Sequence, residues 1–434
     1  MENMRPFQIG LLIAFALIAL VSLFVLASFQ GFTGGGSNPY GSSVTIWGTL
    51  DKEAFTNALR ETSKNDKDLS VVKYVQQDAR TFETNLVDAI AEGNPPDAIL
   101  LQHENLVSLR TKLQPIPYNI FPQRTLRDNY VDGFEIFARS DGLYAVPFAV
   151  DPLIMYWNRD ILAAGGLALP PATWESLTAA VEQITLRDAT RNILQATVAF
   201  GEYSNVINAK SMLLTLLLQS GSRMIEENQT RYVVALDTSA TDASHRPLTS
   251  ALQFYVEFSN PASPLYSWNR SFQDDFNAFA GERLAIYFGF GSEASRIRNQ
   301  NPNLNFDATA IPQGTGATTK RVYGKFYGFA LVRAGQNQSG AYGAILSLAG
   351  VEPSSLVANQ LGMAPAYRSS VSALAENPTL QTVYNQALIA RGWLDPKPDS
   401  STEIFRQMVE EVLSGRSRVM TSAVDTVRRL ELAF

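Results

Sequence analysis

Along most of the chain, short apolar runs alternate with segments of helical periodicity, and this alternation limits the possible folds more than any other feature. The runs Val44–Trp47, Leu69–Val75 and Asp97–Leu101 predict strands. After the first of them, Asp51–Thr62 predicts an amphipathic helix with Phe55 on its apolar face. Strands separated by helices of about 10–15 residues form βαβ units with a mostly parallel sheet. The sequence therefore predicts an α/β fold.

The same pattern indicates where a ligand would bind. In open parallel sheets, ligands bind beyond the carboxyl ends of the strands. Residues 47–51 and 102–104 follow two of the predicted strands, so we expect binding side chains there. Residues 141–158 hold two strand-like runs around Pro147 and Pro152, which is the pattern of a strand that crosses between two domains.

Length and composition indicate a folded protein with two domains. At 434 residues the chain is too long for one hydrophobic core and suits two domains of roughly 150–200 residues. A hydrophobic content of 46% excludes a mainly disordered chain. A net charge of −6 without a cluster of Lys and Arg argues against nucleic-acid binding. Because the chain has no Cys and only two His, we expect no metal and no cofactor.

An uncharged, largely apolar stretch, Ile9–Ser28, lies near the N-terminus. As a helix its 20 residues would extend about 30 Å, enough to cross the core of a bilayer. The run exceeds the roughly 7–15 residues of a signal-peptide core, so we favour an uncleaved signal anchor over cleavage after Ala27 or a buried core helix. Arg5 predicts a cytoplasmic N-terminus and an extracellular or periplasmic body. Gly31–Ser43 follows as a flexible linker of roughly 20 Å.

Three segments of the body carry motif-like sequences. Gly142–Leu177 reads GLYAVPFAVDPLIMYWNRD and ends in PPATWESL. Phe279–Pro312 begins with FAGERLAIYFGFGSEA and ends in ATAIP, and Gly324–Val332 reads GKFYGFALV. In their order and spacing these segments resemble the bacterial extracellular solute-binding proteins of ABC importers, in the maltose-binding-like group. The resemblance extends from Val44 to the C-terminus.

The resemblance implies a type II periplasmic-binding-protein-like fold, in which two α/β lobes joined by three crossings close on a ligand. The crossings would lie near Ala149–Pro152, Gln313–Thr319 and Met363–Ala366. The chain would divide into 1–30 for the cytoplasmic end and transmembrane anchor, 31–43 for the linker, 44–148 plus 320–362 for one lobe, and 151–312 plus 366–434 for the other. It further implies a monomer that delivers a small solute to ABC permease subunits in the membrane. The aromatic residues favour a sugar or oligosaccharide, and peptides, polyamines and other small solutes stay open.

A sugar site combines aromatic rings, which stack on the sugar, with polar side chains that hydrogen-bond its hydroxyls. The candidates chosen for their positions along the chain are Trp47, Asp51, Gln102, His103, Tyr203, Tyr327 and Arg368. The resemblance adds Asp151, at a position where the family often has an acidic sugar ligand. It also adds Phe290, where the family commonly has an aromatic ring.

Each candidate has a structural alternative that the sequence leaves open. Trp47 could pack in the core, and Asp51 could cap the helix that follows it. His103 could be a structural histidine, and Asp151 could be a hinge residue that bonds backbone amides. Arg368 could be an exposed surface side chain.

The sequence contains no recognisable catalytic motif. It lacks G-x-S-x-G, H-E-x-x-H, G-x-G-x-x-G and the phosphate-binding P-loop. Asp274 and Asp275 are adjacent, and because adjacent side chains diverge they cannot alone flank one glycosidic bond. We therefore expect a binding protein, with a ligand-sensing receptor that does not transport and a glycoside-acting enzyme as the alternatives.

Overall fold

The computed structural model of the chain describes residues 40–41, 43–227 and 231–434. Its strands are β1 Val44–Gly48, β2 Val72–Gln76, β3 Ala98–Gln102, β4 Leu113–Gln114, β5 Ala138–Arg139, β6 Gly142–Leu143, β7 Val146–Asn158, β8 Leu186–Arg187, β9 Ile193–Val198, β10 Ser222–Glu227, β11 Tyr232–Ser239, β12 Leu284–Phe290, β13 Phe306–Thr309, β14 Val322–Val332, β15 Ala364–Pro365 and β16 Ala390–Arg391. Its α-helices are Lys52–Thr62, Phe82–Ala91, Leu106–Leu109, Gln123–Asn129, Arg159–Ala164, Trp174–Ile184, Ala209–Gln219, Pro247–Val256, Asp275–Ala280, Ala294–Gln300, Gln338–Leu348, Val351–Gln360, Arg368–Val371, Pro378–Ile389, Pro398–Leu413 and Val419–Glu431. Short 3-10 helices are Lys67–Val71, His103–Asn105, Arg110–Lys112, Asp132–Phe137, Glu257–Ser259 and Gly291–Glu293.

The N-terminal strands have the predicted parallel arrangement. β1 pairs in parallel with both β2 and β3, which confirms the βαβ connections in this part of the chain. The helix Lys52–Thr62 begins directly after Asp51, whose carboxylate accepts a hydrogen bond from the Ala54 amide at 2.9 Å. Such a cap satisfies one of the free N–H groups at the start of a helix.

Two strands start several residues away from their predicted starts. The segment Lys67–Val71 is a 3-10 helix, not the start of a strand at Leu69, because the Asp66 side chain caps it by accepting from the Asp68 amide at 3.2 Å. β2 therefore begins only after this helix. β14 begins four residues before the predicted start at Phe326, because its first residues pair with β16.

β7 is the central strand of the molecule and contains two prolines. The sequence predicted two strand-like runs, whereas the structure has one continuous strand of 13 residues. Pro147 pairs with Gly328 at a shift in register, and Pro152 is the last β7 residue paired with β14, opposite Gly324. A proline lacks the N–H donor of a sheet ladder, so a bulge or the end of a pairing is where a strand tolerates it.

The sheet divides at β7 into two lobes. Its order is β2-β1-β3-β14-β7-β12-β9-β8, and β7 pairs with β14 in its first half and with β12 and β13 in its second half. We call the part built on β1–β4 and β14 the first lobe, and the part built on β8, β9, β12 and β13 the second lobe. The lobe boundaries given above in residue numbers stay a prediction.

The predicted crossings contact different partners. Ala149 and Val150 of β7 pair with β15, so the predicted crossings at Ala149–Pro152 and Met363–Ala366 lie side by side. Gln313 instead bridges to Thr173, beside the second-lobe helix Trp174–Ile184. The chain reaches β14 only after this contact.

The helices of the second lobe pack closely around its sheet. The Leu-rich helix Ala209–Gln219 is buried over most of its length. Pro247–Val256 packs on it and, together with Val419–Glu431, supports the hairpin formed by β10 and β11. This hairpin therefore belongs to the second lobe.

The proposed membrane segment cannot be compared with the fold. Ile9–Ser28 and nearly all of Gly31–Ser43 lie outside the described residues. Among the residues that are described, no single helix has the length and apolar character to span a bilayer. Gln338–Leu348 and Val351–Gln360 meet that length only as a pair, and they are bent by 69°.

Candidate functional site

The segment after β3 places three polar side chains where the two lobes meet. His103 is fully buried, and its Nδ1 accepts a hydrogen bond from the Phe326 amide at 3.1 Å. Burial lowers the pKa of His103 to about 4, so the ring is neutral at pH 7. Gln102 donates a hydrogen bond to Glu104 and accepts one from the Tyr327 hydroxyl at 3.3 Å. This end of β3 is therefore held by hydrogen bonds to β14.

A lysine from the second lobe reaches the same place. Lys210, near the start of the helix Ala209–Gln219, lies 2.5 Å from an Asp395 carboxylate oxygen and 2.8 Å from the Ser401 hydroxyl. Its Nζ is also 4.0 Å from Glu104 Oε1 of the first lobe, and the Tyr323 hydroxyl donates to that oxygen at 2.5 Å. We call Glu104, Lys210, Tyr323 and Asp395 the junction cluster.

The charges of the junction cluster compensate each other at a largely buried position. Burial raises the pKa of Glu104, but the electrostatic attraction of Lys210, His103 and Lys325, with the Tyr323 hydrogen bond, more than offsets this effect, so its pKa falls to about 2. The Asp395 side chain has no exposed surface, and burial raises the pKa of this carboxyl despite the attraction of Lys210. The cluster thus places Lys210 Nζ between two carboxyl groups.

Two buried polar atoms beside the junction cluster have no hydrogen-bond partner in the described part of the chain, the Tyr203 hydroxyl and Trp393 Nε1. The Trp393 side chain is 2% exposed, and Lys210 Nζ lies 5.6 Å from the centre of its ring. Burial raises the pKa of Tyr203, and the negative charge of Asp395 raises it further. Buried polar groups are nearly always satisfied in folded proteins, so two unsatisfied donors beside one cluster are unusual.

Asp151 joins the central strand to the second lobe. Its carboxylate accepts from the Ser292 amide at 3.1 Å and from the Ser292 hydroxyl at 2.6 Å. Burial raises the pKa of Asp151 to about 7, because these hydrogen bonds and the charge of Lys325 offset only part of the cost of burial. Lys325 Nζ also lies 4.0 Å from the centre of the Phe290 ring. Phe290 and Asp151 therefore border the same junction of the lobes.

Comparison with known proteins identifies the chain. The sequence profile described as bacterial extracellular solute-binding protein matches residues 58–341, more than half of the chain. The protein belongs to this family. The family membership expected from the motifs is thereby confirmed, and the family is one of binding proteins rather than enzymes. No curated protein sequence matches the chain.

Solved structures of other solute-binding proteins have the same two-lobed fold. A cyclo/maltodextrin-binding protein in complex with maltotetraose has 14% sequence identity and a TM-score of 0.69, over 92% of this chain and 97% of its own. A cyclic α-maltosyl-1,6-maltose-binding protein from Arthrobacter globiformis has 17% identity and a TM-score of 0.73, over 90% of this chain and 98% of its own. At this identity the likeness shows the fold alone, and it supports the predicted two-lobed α/β class.

Most of the residues predicted from the sequence lie at the junction of this solute-binding protein. Gln102 contacts Tyr327, and His103 contacts β14. Asp151 contacts Ser292, and Phe290 contacts Lys325. The charge of Asp395 raises the pKa of Tyr203. Asp151 bonds a backbone amide, as its structural alternative supposed. Contact of these residues with ligand stays a prediction.

The other three predicted residues make their contacts elsewhere. Asp51 is exposed and caps a helix, as its structural alternative supposed. Trp47 is half-buried and lines a surface cavity of about 620 Å³ together with Pro96. Arg368 forms an ion pair with Asp132. Their roles in ligand binding also stay predictions.

The sequence interpretation missed much of the junction cluster. Lys210 is the only charged residue in the Leu-rich helix Ala209–Gln219, and that isolation was a usable signal. Glu104 directly follows two candidates in the segment after β3. Asp395 carried no such signal, because its neighbour Lys210 lies 185 residues away in the sequence.

Proposed function

We propose that this solute-binding protein captures a sugar or oligosaccharide between its lobes and delivers it to an ABC permease. The observation that carries the proposal is the junction cluster, where largely buried charged side chains of both lobes meet beside two donors without a partner among the described residues. The solute-binding family and the maltodextrin ligands named for the similar structures support a carbohydrate.

The arrangement of the lobes suggests how capture proceeds. A ligand that contacts Glu104 on the first lobe and Lys210 on the second stabilises the closed form, by as much as it binds that form more tightly than the open one. The closed form would then dock on the permease, and a separate ATPase would supply the energy. Because the cluster's charges are already paired within the protein, an uncharged solute suits it better than a charged one.

Thermal unfolding of the full-length protein in the presence of sugars tests the proposal. Purified in detergent, the protein is expected to unfold at a temperature that rises with maltotetraose concentration, since a ligand of the native state stabilises it. A panel of neutral oligosaccharides, oligogalacturonates, chitosan oligomers, peptides and polyamines should show shifts only with neutral sugars. A shift with peptides or polyamines alone would overturn the carbohydrate assignment. Release of a cleaved product from a bound sugar would support a glycosidase instead.

Tyr203→Phe should separate ligand binding from stability. The hydroxyl that it removes has no partner in the described protein, so the free energy of unfolding should change by less than about 0.5 kcal/mol. Loss of one hydrogen bond to a sugar hydroxyl should raise the Kd for the bound sugar roughly fivefold. Calorimetric titration and thermal unfolding measure the two effects.

Tyr384→Phe is the matched control for this substitution. The Tyr384 hydroxyl donates to Asn359 Oδ1 at 2.6 Å, so its loss should reduce stability by about 1 kcal/mol and leave the Kd unchanged. Equal Kd values for Tyr203→Phe and the wild type would remove Tyr203 from the site.

We further propose that Ile9–Ser28 remains attached and anchors the body outside the cytoplasmic membrane. A single spanning helix holds a protein more firmly than one acyl chain, and the chain has no Cys that could carry a lipid. Intact mass spectrometry of protein extracted from membranes should show the apolar segment still present. A mature product that begins at Ser28 would contradict the anchor and leave the binding proposal unaffected.

A further inference from the structure

A second polar contact joins the lobes through the hairpin of β10 and β11. Glu227, the last residue of β10, places one carboxylate oxygen 2.9 Å from Arg110 Nη1 and the other 2.7 Å from Arg139 Nη1. Both arginines belong to the first lobe, whereas the hairpin packs on helices of the second. Arg110 Nη1 also donates to the hydroxyl of Tyr232, the first residue of β11, at 2.8 Å. We call these four residues the clasp.

The arginines of the clasp are fixed in place by other contacts of the first lobe. Arg110 donates to the Tyr144 hydroxyl at 3.2 Å and to the Asp141 carboxylate at 3.1 Å. Arg139 donates to the Ile136 carbonyl at 2.9 Å. Because the two guanidinium groups are already oriented, little side-chain entropy is lost when Glu227 binds them. The clasp is therefore stronger than an ordinary surface ion pair.

Beside the clasp, the two lobes are connected mainly by its polar contacts. A cavity of about 940 Å³ adjoins it and is lined by residues of both lobes, among them Arg139 and Phe434. The side chains of Arg139 and Glu227 are 11% and 24% exposed, so solvent and salt screen their attraction less than at the surface. Loss of the Glu227 charge should thus change the arrangement of the two lobes.

We propose that Glu227 is a positioning residue, which holds the two lobes in the arrangement that binds solute without touching the solute itself. In this structure the clasp and the junction cluster occur together, so each contact favours this arrangement of the lobes over any arrangement in which they separate. The inference rests on the proposed function, because it assigns a regulation to the same binding site. Breaking the clasp lowers the population of this arrangement, and apparent affinity falls in proportion.

The hairpin itself supplies a matched control. Glu226 is the neighbour of Glu227, but its carboxylate pairs with Arg223 of the same strand at 3.1 Å, with both side chains about half exposed. Glu226→Gln removes the same charge from the same hairpin without breaking a contact between the lobes. Glu227→Gln removes the contact, and Arg139→Gln removes it from the other side.

Spin-label distances test the proposal without requiring a ligand. The chain has no Cys, so Thr56→Cys on the first-lobe helix Lys52–Thr62 and Glu182→Cys on the second-lobe helix Trp174–Ile184 can be labelled specifically in the full-length protein. We expect the same distance distribution for the labelled parent and for Glu226→Gln. Glu227→Gln and Arg139→Gln should each increase the population with a longer distance between the labels, to about ten times its size in the labelled parent. Distributions that superimpose on that of Glu226→Gln would overturn the proposal.

A titration with maltotetraose separates this proposal from the proposed function. If the parent binds this sugar, Glu227→Gln should weaken binding about tenfold and Glu226→Gln should not. Unchanged or tighter binding by Glu227→Gln would overturn the positioning role. If no variant binds any sugar while the long-distance population still appears, the clasp stands and the carbohydrate assignment fails.

Discussion

Lys210→Met is expected to lower the free energy of unfolding by about 3–5 kcal/mol, because it leaves buried carboxyl groups without their counter-charge. The Asp395 side chain is wholly buried and lies 2.5 Å from the lysine, and Glu104 lies 4.0 Å away. Methionine fills a similar volume, so the loss reports mainly the missing charge. Urea unfolding followed by circular dichroism at pH 7 measures it.

Two comparisons make the Lys210 result specific. Lys64→Met removes a lysine that pairs with Glu61 at an exposed surface, and it should change stability by less than about 0.5 kcal/mol. Lys210→Met combined with Asp395→Asn should recover part of the loss, because the unpaired charge is gone. A loss below about 1 kcal/mol for Lys210→Met would show that the junction cluster does not depend on this ion pair.

The pH dependence of stability should change strongly on Asp151→Asn. Burial raises the pKa of Asp151 from 3.8 in the unfolded chain to about 7 in the fold. The fold thus favours the protonated form, and this contribution is fully present below about pH 4 and is lost as the pH rises to about 7. A rise of about three in pKa corresponds to about 4 kcal/mol, of which about 3 kcal/mol falls between pH 5 and pH 8.

Unfolding curves at several pH values check this expectation. The free energy of unfolding of Asp151→Asn, taken relative to that of the wild type, should rise by about 3 kcal/mol as the pH goes from 5 to 8, since asparagine carries no charge to bury. Asp128→Asn, at an exposed position, should follow the wild type throughout. Asp275, whose pKa burial also raises to about 7, remains in both proteins and cancels in the comparison. Parallel curves for Asp151→Asn and wild type would contradict a buried, protonated Asp151.

The sequence predicts the fold class because the repeating pattern is local. Each strand–helix–strand unit near the N-terminus can be identified from about 30 residues, and the parallel pairing of β1 with β2 and β3 follows from it. The prolines of β7 suggested two strands because proline lacks a donor. The two prolines instead lie where pairing is interrupted, at Gly328 and at the change of partner after Pro152. Such interruptions depend on the partner strand and cannot be seen in one sequence.

The site could be predicted only where it follows a strand. Gln102 is the last residue of β3 and His103 follows it, and the rule that ligands bind at the ends of parallel strands locates them. Lys210 and Asp395 come from the start of a helix and from a loop, 185 residues apart. Asp151 finds its partner Ser292 at a separation of 141 residues. Contacts over such separations arise from the folded arrangement of the lobes, which no local pattern encodes.

The position of Pro152 bears on how much work relative motion of the two halves requires. One continuous strand belongs to both halves, so a twist between them has to pass through its backbone. At Pro152, where the pairing passes from β14 to β12, the residue has no amide hydrogen, so no hydrogen bond donated by that residue has to break when the strand turns there. The two halves thus share an unbroken strand in which a turn at Pro152 breaks one hydrogen bond fewer than it would at a residue with an amide hydrogen.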